Sequence, residues 1–534
     1  KVLDSVLDCL CNAASPNMLV GKEGDAETRK NAIISLVQVC KTVGVGENAY
    51  DDDVLNASSA PVVCLNREQI MKVFGALLRS MTDYNTDRRG DVGSWSRIAA
   101  MKGLETLTYL SVRASLNTPH FLSREQPSCD VYPNMSNGRK QSHCVQVPNL
   151  TGRLAFLETD CSRKAKESIS TMRPVHPNIV ADSKQYKDFL YFDEELCAQV
   201  LGSFLKQLSE KLDSVRCQAG QCLERLLTNR NPRLPFVPNR PILLDALGLA
   251  KHHYNRHEGN LVHHQQRVNW SNSADTFPLV MRAVNIDDFF QDIISGIVVS
   301  VGGLTESVTK HSTAALLDWV RGVKMIKATA RIVKLGNAFL SLFHLHRKNQ
   351  RVILPLLKTI DKLLSRGCLD DLLRMKNCPF PDSLLSNIKK EAKGCMDIKR
   401  LFAIASVSLG LLQVQDEDMV IKDVLPFILA LLGHAYPRVR RWTAEQLYVK
   451  LLEDGSTIIS DQCRLDKALK LLLEVLWDDH LDPPGNVRES RNQLANILGV
   501  QLDEKELLVT TTRKLPNSKD GFDCYSSLVH EAKN

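Results

Sequence analysis

The chain has 534 residues, 44% hydrophobic and 24% charged, a size and balance that exclude wholesale disorder and predict several packed units or an extended repeat array. Its 68 basic and 61 acidic side chains leave a formal charge of only +7, so bulk electrostatics makes no case for nucleic-acid binding. Aromatics are sparse at 6% beside abundant Leu, Ala, Val and Lys, which predicts an all-α fold because straight-chain residues lose little rotamer freedom in helices.

In chain order, one pattern recurs at helical spacing. It is Thr28, Arg29, Ala32 and Leu36, then Ser96, Arg97, Ala100 and Leu104, then Val215, Arg216, Ala219 and Leu223. Near the end Val439, Arg440, Ala444 and Leu447 repeat it with the alanine slipped by one. Residues one and two turns apart share a helix face, so each block buries one stripe and points its arginine outward or toward a neighbouring turn. Asp213-Ser214 and Tyr436-Pro437 supply turn signals before the third and fourth blocks, where one helix of a pair hands over to the next. Helix pairs of this kind resemble HEAT repeats, which stack into a HEAT/armadillo-like solenoid because no pair buries its faces alone. Arg97, Arg216 and Arg440 are expected to build a polar ladder between successive units.

The predicted layout is helical repeats over 1–115, a polar and largely disordered insertion over 116–187 and a further repeat over 188–228. A Pro/His-rich connection over 229–278, C-terminal helical repeats over 279–500 and a polar tail over 501–534 complete it. The apolar runs at Ile293 to Leu304 and Leu401 to Val414 fall short of the roughly 18 to 20 residues that span a bilayer and read as buried helices. No secretory signal is visible, and the chain starts at Lys1 rather than Met, so a preceding segment is expected.

Chemistry-bearing motifs are scarce. His252, His253, His257, His263 and His264 form the best metal candidate, since helical spacing puts His253 and His257 on one face. They lack a completing Cys or carboxylate set and the His-Glu-x-x-His order, so a solvated polar loop is expected. The fifteen cysteines are odd in number and scattered, which points to a reducing compartment. Cys9 with Cys11 and Cys217 with Cys222 have the wrong spacing for a metal knuckle or redox pair and read as packing residues. Gly44-Val45-Gly46 and Gly302-Gly303 are expected to serve turns, and no phosphate cradle or nucleophile elbow is present. The basic cluster Arg438, Arg440 and Arg441 reads as a solvated helix face.

Several longer segments point to a known family. They are Asp83 to Met101 (DYNTDRRGDVGSWSRIAAM), Pro235 to Arg240, Val268 to Ser271, Ser295 to Ser312 (SGIVVSVGGLTESVTKHS), Val352 to Asp370 (VILPLLKTIDKLLSRGCLD) and Arg488 to Val500 (RESRNQLANILGV). Taken in this order they resemble the tubulin-folding cofactor D family. Members are longer than this chain, so the resemblance implies a C-terminal half. The stretch from about Leu116 to Lys187 departs from the family pattern.

The resemblance implies a cofactor-free, non-enzymatic cytoplasmic chaperone with microtubule or centrosome association. Its implied partners are β-tubulin, the αβ-tubulin heterodimer, tubulin cofactors C and E and an ADP-ribosylation-factor-like small GTPase, with no nucleic acid and no membrane span. Such a chaperone assembles or dissociates the heterodimer and promotes GTP hydrolysis by tubulin without hydrolysing GTP itself. The protein-binding candidates are Arg88, Arg89, Asp91, Trp95, Glu306 and Lys310. Asp91 is also placed to cap the following helix, Trp95 is expected to be buried, and Glu306 with Lys310 has the spacing of a surface ion pair. Two alternatives accompany this reading: a helical-repeat transport or chromatin adaptor, and a metal-dependent hydrolase using the histidines at 252–264.

Overall fold

The computed structural model describes residues 1–16, 25–46, 64–116, 191–250, 268–303, 305–459, 461–479 and 485–502. The polar insertion, the histidine-rich patch and the tail of the expected layout lie outside them, apart from a few residues at their margins. The described residues form an all-α helical-repeat solenoid whose only β features are two isolated bridges.

Helices begin where short polar side chains can accept from the first free amides. Asp25 accepts from Glu27 and Thr28 to start α2 (Ala26–Val43), following α1 (Val2–Ala14). Asn66 and Gln69 form a reciprocal capping box at the start of α3 (Arg67–Ser80). The long α4 (Gly93–Leu116) completes the second pair, and α5 (Glu194–Leu208) with α6 (Asp213–Thr228) makes the third. After the short α7 (Arg240–Ala246) and α8 (Ser273–Ala283), the pair α9 (Phe290–Val301) and α10 (Glu306–Met325) follows. The rest comprises α11 (Thr329–Leu345), α12 (Gln350–Leu364), α13 (Asp370–Arg374), α14 (Phe380–Ala392) and α15 (Ile398–Gly410). A π turn at Val420–Val424 leads into α16 (Leu425–Leu432), then α17 (Pro437–Ile458), α18 (Gln462–Glu474) and α19 (Gly485–Leu498).

The helices stack in two rows. One row runs α1, α3, α5, α9, α12 and α15, with α3 and α5 joined through Gln207 to Met81 and Phe74 to Phe192; α2, α4 and α6 form the first part of the other, and each packs on its own pair-mate. One contiguous apolar core threads the stack from Leu7 to Val500, so neighbouring pairs share burial as a solenoid requires. The parts of the two apolar runs that lie in α9 and α15 are largely buried. No helix among the described residues is long and apolar enough to cross a membrane.

Hydrogen bonds fix the register between successive helices of the first row. The last carbonyls of a helix have no partner within it, and here the next helix supplies one. Ser80 Oγ donates to the Ala14 carbonyl at 3.1 Å, and Gln207 Nε2 to that of Met81 at 2.9 Å. Ser300 Oγ donates to the Ser209 carbonyl at 2.7 Å, and Thr359 Oγ1 to that of Val298 at 3.2 Å. Lys362 Nζ reaches the Val301 carbonyl at 2.7 Å. Each bond joins one helix end to the next unit, so rotating a single helix breaks a buried bond.

The histidine that opens the α17 turn carries a pH prediction. His434 is 6% exposed and its Nδ1 accepts from the Tyr436 amide at 3.1 Å, so the ring is neutral in the fold. Burial, with Arg440 nearby, pushes its pKa down to about 4. The folded chain thus binds fewer protons than the unfolded chain between about 4 and the ordinary 6.5, so this stability is present above 6.5 and lost as pH falls. Between about pH 7 and pH 4.5, His434→Gln is expected to lose about 2 kcal/mol less stability than the parent chain. Denaturant titration at both pH values checks this, and equal losses in the two proteins would contradict it.

Candidate protein-binding surface

The recurring arginines do not point outward. Arg29, Arg97 and Arg216 are buried, at 3%, 0% and 0% exposure. Arg29 Nε donates to the Asp83 carboxylate at 2.7 Å. Arg97 donates to the Asp83 carbonyl at 2.6 Å and to both Asp91 carboxylate oxygens at 3.3 and 3.2 Å, with its guanidinium 4.6 Å from the Tyr84 ring centroid. Arg216 takes the Glu210 and Lys211 carbonyls at 2.9 Å and that of Ser271 at 2.7 Å. Arg440, expected on a solvated face, is half-buried and gathers the carbonyls of His434, Trp477 and Asp479 at 2.9 to 3.0 Å. Arg438 and Arg441 beside it are exposed. Each of Arg97, Arg216 and Arg440 therefore clamps the turn that precedes its own helix. Arg29, Arg216 and Arg440 also bond beyond their own helix pair, so the expected ladder between units is part of their work.

The recognisable segments turn out to be joints. In Asp83–Met101 the loop doubles back so tightly that a Cβ on Gly93 would lie 2.8 Å from the Asn85 amide nitrogen. The chain is locked there by the three arginines around it: Arg29 from α2, Arg97 from α4 and Arg351 from α12, which donates to Thr86 Oγ1. Trp270 lies over Gly220, where a Cβ would meet its own Cβ at 2.7 Å, and its indole donates to Glu224 at 3.1 Å. Arg240 closes the proline-rich turn by donating to the Leu234 and Leu227 carbonyls at 2.8 and 2.6 Å.

Two further segments pack on each other. Gly302, at the end of α9, meets Pro355 of α12, and a Cβ there would fall 2.6 Å from the Pro355 carbonyl carbon. Gly302 does lie in the turn that ends α9, as expected, but its φ of −87° is ordinary, so it is the approach of α12 and not the turn that demands glycine. Gly44 does end α2 with a positive φ of 80°, as a turn requires.

The six binding candidates are not brought together. Asp91 accepts from the Ser94 amide at 3.1 Å, capping α4 while it holds Arg97. Arg88 is exposed. Arg89 is paired with Asp87 at 2.8 Å and Glu27 at 3.6 Å and lies 4.9 Å over the Trp95 ring. Trp95 is half-buried, not enclosed as expected: Arg89 lies over its ring, and the residue lines the groove it shares with α2. Glu306 and Lys310 are exposed on α10, which packs on α8, α9 and α11, and no ion pair joins them among the described residues.

No group of three or more metal-ligating side chains occurs among the described residues, and the histidine patch lies outside them. Of the cysteine pairs, Cys11 and Cys222 are buried packing residues, whereas Cys9 is exposed and Cys217 half-buried. Sequence reading missed the polar spine of Ser80, Gln207, Ser300 and Thr359, whose only signal was a polar residue recurring near the end of otherwise apolar helices.

Comparison with known proteins follows these joints. Residues 198–400, from within α5 to the start of α15, match the family model described as tubulin folding cofactor D C terminal. Over 478 residues the chain is 20% identical to tubulin-specific chaperone D of Dictyostelium discoideum, an alignment covering 86% of this chain and 27% of that protein. The chain thus spans about a quarter of the length of this curated relative. Within an all-α solenoid built around these segments, residues 198–400 are therefore similar to the C-terminal domain of tubulin folding cofactor D, and most of the chain is distantly similar to one tubulin-specific chaperone D.

Proposed function

We propose that this chain is a non-catalytic chaperone subunit of tubulin folding in the cytoplasm. It holds β-tubulin and acts with tubulin cofactors C and E and an ADP-ribosylation-factor-like small GTPase to assemble or dissociate the αβ-tubulin heterodimer. GTP hydrolysis by tubulin is promoted in that assembly, while the chain hydrolyses nothing itself. The observation that carries this reading is the family match at residues 198–400. A helical stack suits such work because it offers a long contact surface whose modest flexibility lets it wrap a large partner.

Size-exclusion chromatography with light scattering tests the reading, using the full chain mixed with αβ-tubulin, alone and with cofactor E and the GTP-loaded GTPase. A complex of defined mass is expected in at least one mixture. Separate elution in every mixture, from a helical and monodisperse sample, would overturn it.

A further inference from the structure

We propose that the groove between α2 and α4 is a docking site for an amphipathic helix with an acidic flank, supplied by a partner protein. The groove has a volume of about 630 Å³. From α2, Ile34 and Val37 face it, with Lys30 and Lys41 on the rim. Trp95 and Ile98 of α4 form the opposite wall, with Lys102 on that rim. Lys30 and Lys41 are separated by about three helical turns, or about 16 Å. Two side-by-side helices with apolar residues one turn apart form the furrow into which a third helix lays its own stripe.

Three observations favour an occupant. Ile34 is 51% exposed on an otherwise polar face, and the Trp95 indole beside it is only half-buried. The two walls approach closely because Gly103 lacks a side chain, a Cβ there falling 2.7 Å from Val37 Cγ2. Charge then chooses the partner. Lys30, Lys41 and Lys102 are exposed and have no carboxylate partner among the described residues. Glu27, the acid in the lining, is already neutralised by Arg89 at 3.6 Å. A helix whose apolar stripe is flanked by carboxylates buries Ile34 and Trp95 and meets the lysines with opposite charge. A nucleic-acid strand uses the lysines but leaves the aliphatic floor unmatched. The inference goes beyond the tubulin reading and does not depend on which protein supplies the helix.

The test uses the full chain and a fluorescein-labelled designed helical peptide of about five turns, with leucines at i, i+3, i+4 and i+7 and glutamates on both flanks. A sibling peptide carries lysines in place of the glutamates, and a single-stranded oligonucleotide of matched charge serves as competitor. By fluorescence anisotropy the acidic peptide is expected to saturate in the micromolar range, with the basic peptide at least about tenfold weaker. Lys30→Glu with Lys102→Glu is expected to weaken the acidic peptide by about tenfold, and Ile34→Asp to abolish its binding. Circular dichroism confirms that these surface variants remain helical. Equal binding of the two peptides, displacement by the oligonucleotide, indifference to the charge reversals, or no saturation up to about 1 mM would each overturn the proposal. A concentration-dependent dimer that Ile34→Asp dissolves would instead give the groove to a second copy and overturn the partner assignment.

Discussion

Arg97→Ala is expected to cost about 3 to 5 kcal/mol, the range for removing one partner of a buried charge pair. Its side chain has no exposure, and Asp91, its carboxylate partner, is only 11% exposed. Truncation leaves that carboxylate with only the Ser94 amide and no cationic partner, leaves the buried Asp83 carbonyl without its donor, and opens a cavity beside Tyr84. Lysine is expected to recover less than half of the loss, because one ammonium cannot reach the carbonyl and both carboxylate oxygens together. Repeat stacks open locally, so hydrogen exchange read by mass spectrometry is the right measurement. Amides between Asp83 and Arg113 should exchange faster in Arg97→Ala while α12 to α15 keep their protection. Unchanged exchange in the 83–113 segment would show that the clamp contributes nothing.

Gly302→Ala is expected to destabilise by about 3 kcal/mol, at the upper end for overpacking. The atoms a new methyl would meet are the Pro355 backbone, which has no rotamer to give. Pro355 sits inside α12, and its carbonyl is already bonded to Thr359 Oγ1 at 2.8 Å. Relief therefore requires α9 and α12 to move apart, which strains the Thr359 and Lys362 bonds to the end of α9. Gly322 is the matching control. It lies exposed within α10, and nothing approaches within 4 Å of a Cβ built there. Gly322→Ala is expected to stabilise by about 0.5 to 1 kcal/mol through helix propensity. Denaturant midpoints of both variants check the contrast, and equal shifts would contradict the packing account.

Helices and their buried stripes were legible because Ala and Leu at four-residue spacing mark a single face whatever the tertiary context. Ala32 and Leu36, Ala100 and Leu104, and Ala219 and Leu223 are all buried. The fate of the arginines was not legible in the same way. Arg440 and Arg441 are neighbours in sequence, yet one gathers backbone carbonyls and the other pairs with Glu445 and Asp478 at the surface. Only the position of the preceding turn separates them, and that is a tertiary fact. Gly302 shows the same limit: its sequence suggests a turn, while the residue that demands glycine is Pro355, on a different helix.

The candidate residues divide along this line as well. Asp91 was readable as a helix cap because capping is local. The half-burial of Trp95 was not, since it depends on Arg89 folding back over the ring and on α2 standing alongside. Glu306 and Lys310 have ion-pair spacing, but such pairs contribute only a few tenths of a kcal/mol, too little to dictate side-chain placement. The groove lysines gave no signal, because its walls come from helices distant in sequence.

Capture of purified αβ-tubulin on the immobilised full chain tests the proposed tubulin-holding role most directly. After washing, α- and β-tubulin are quantified separately, with an unrelated helical-repeat protein as the control surface. Retention of β-tubulin above control, in an amount at least equal to α-tubulin, is the predicted result. Retention of neither subunit by a folded chain, or of α-tubulin alone, would contradict it.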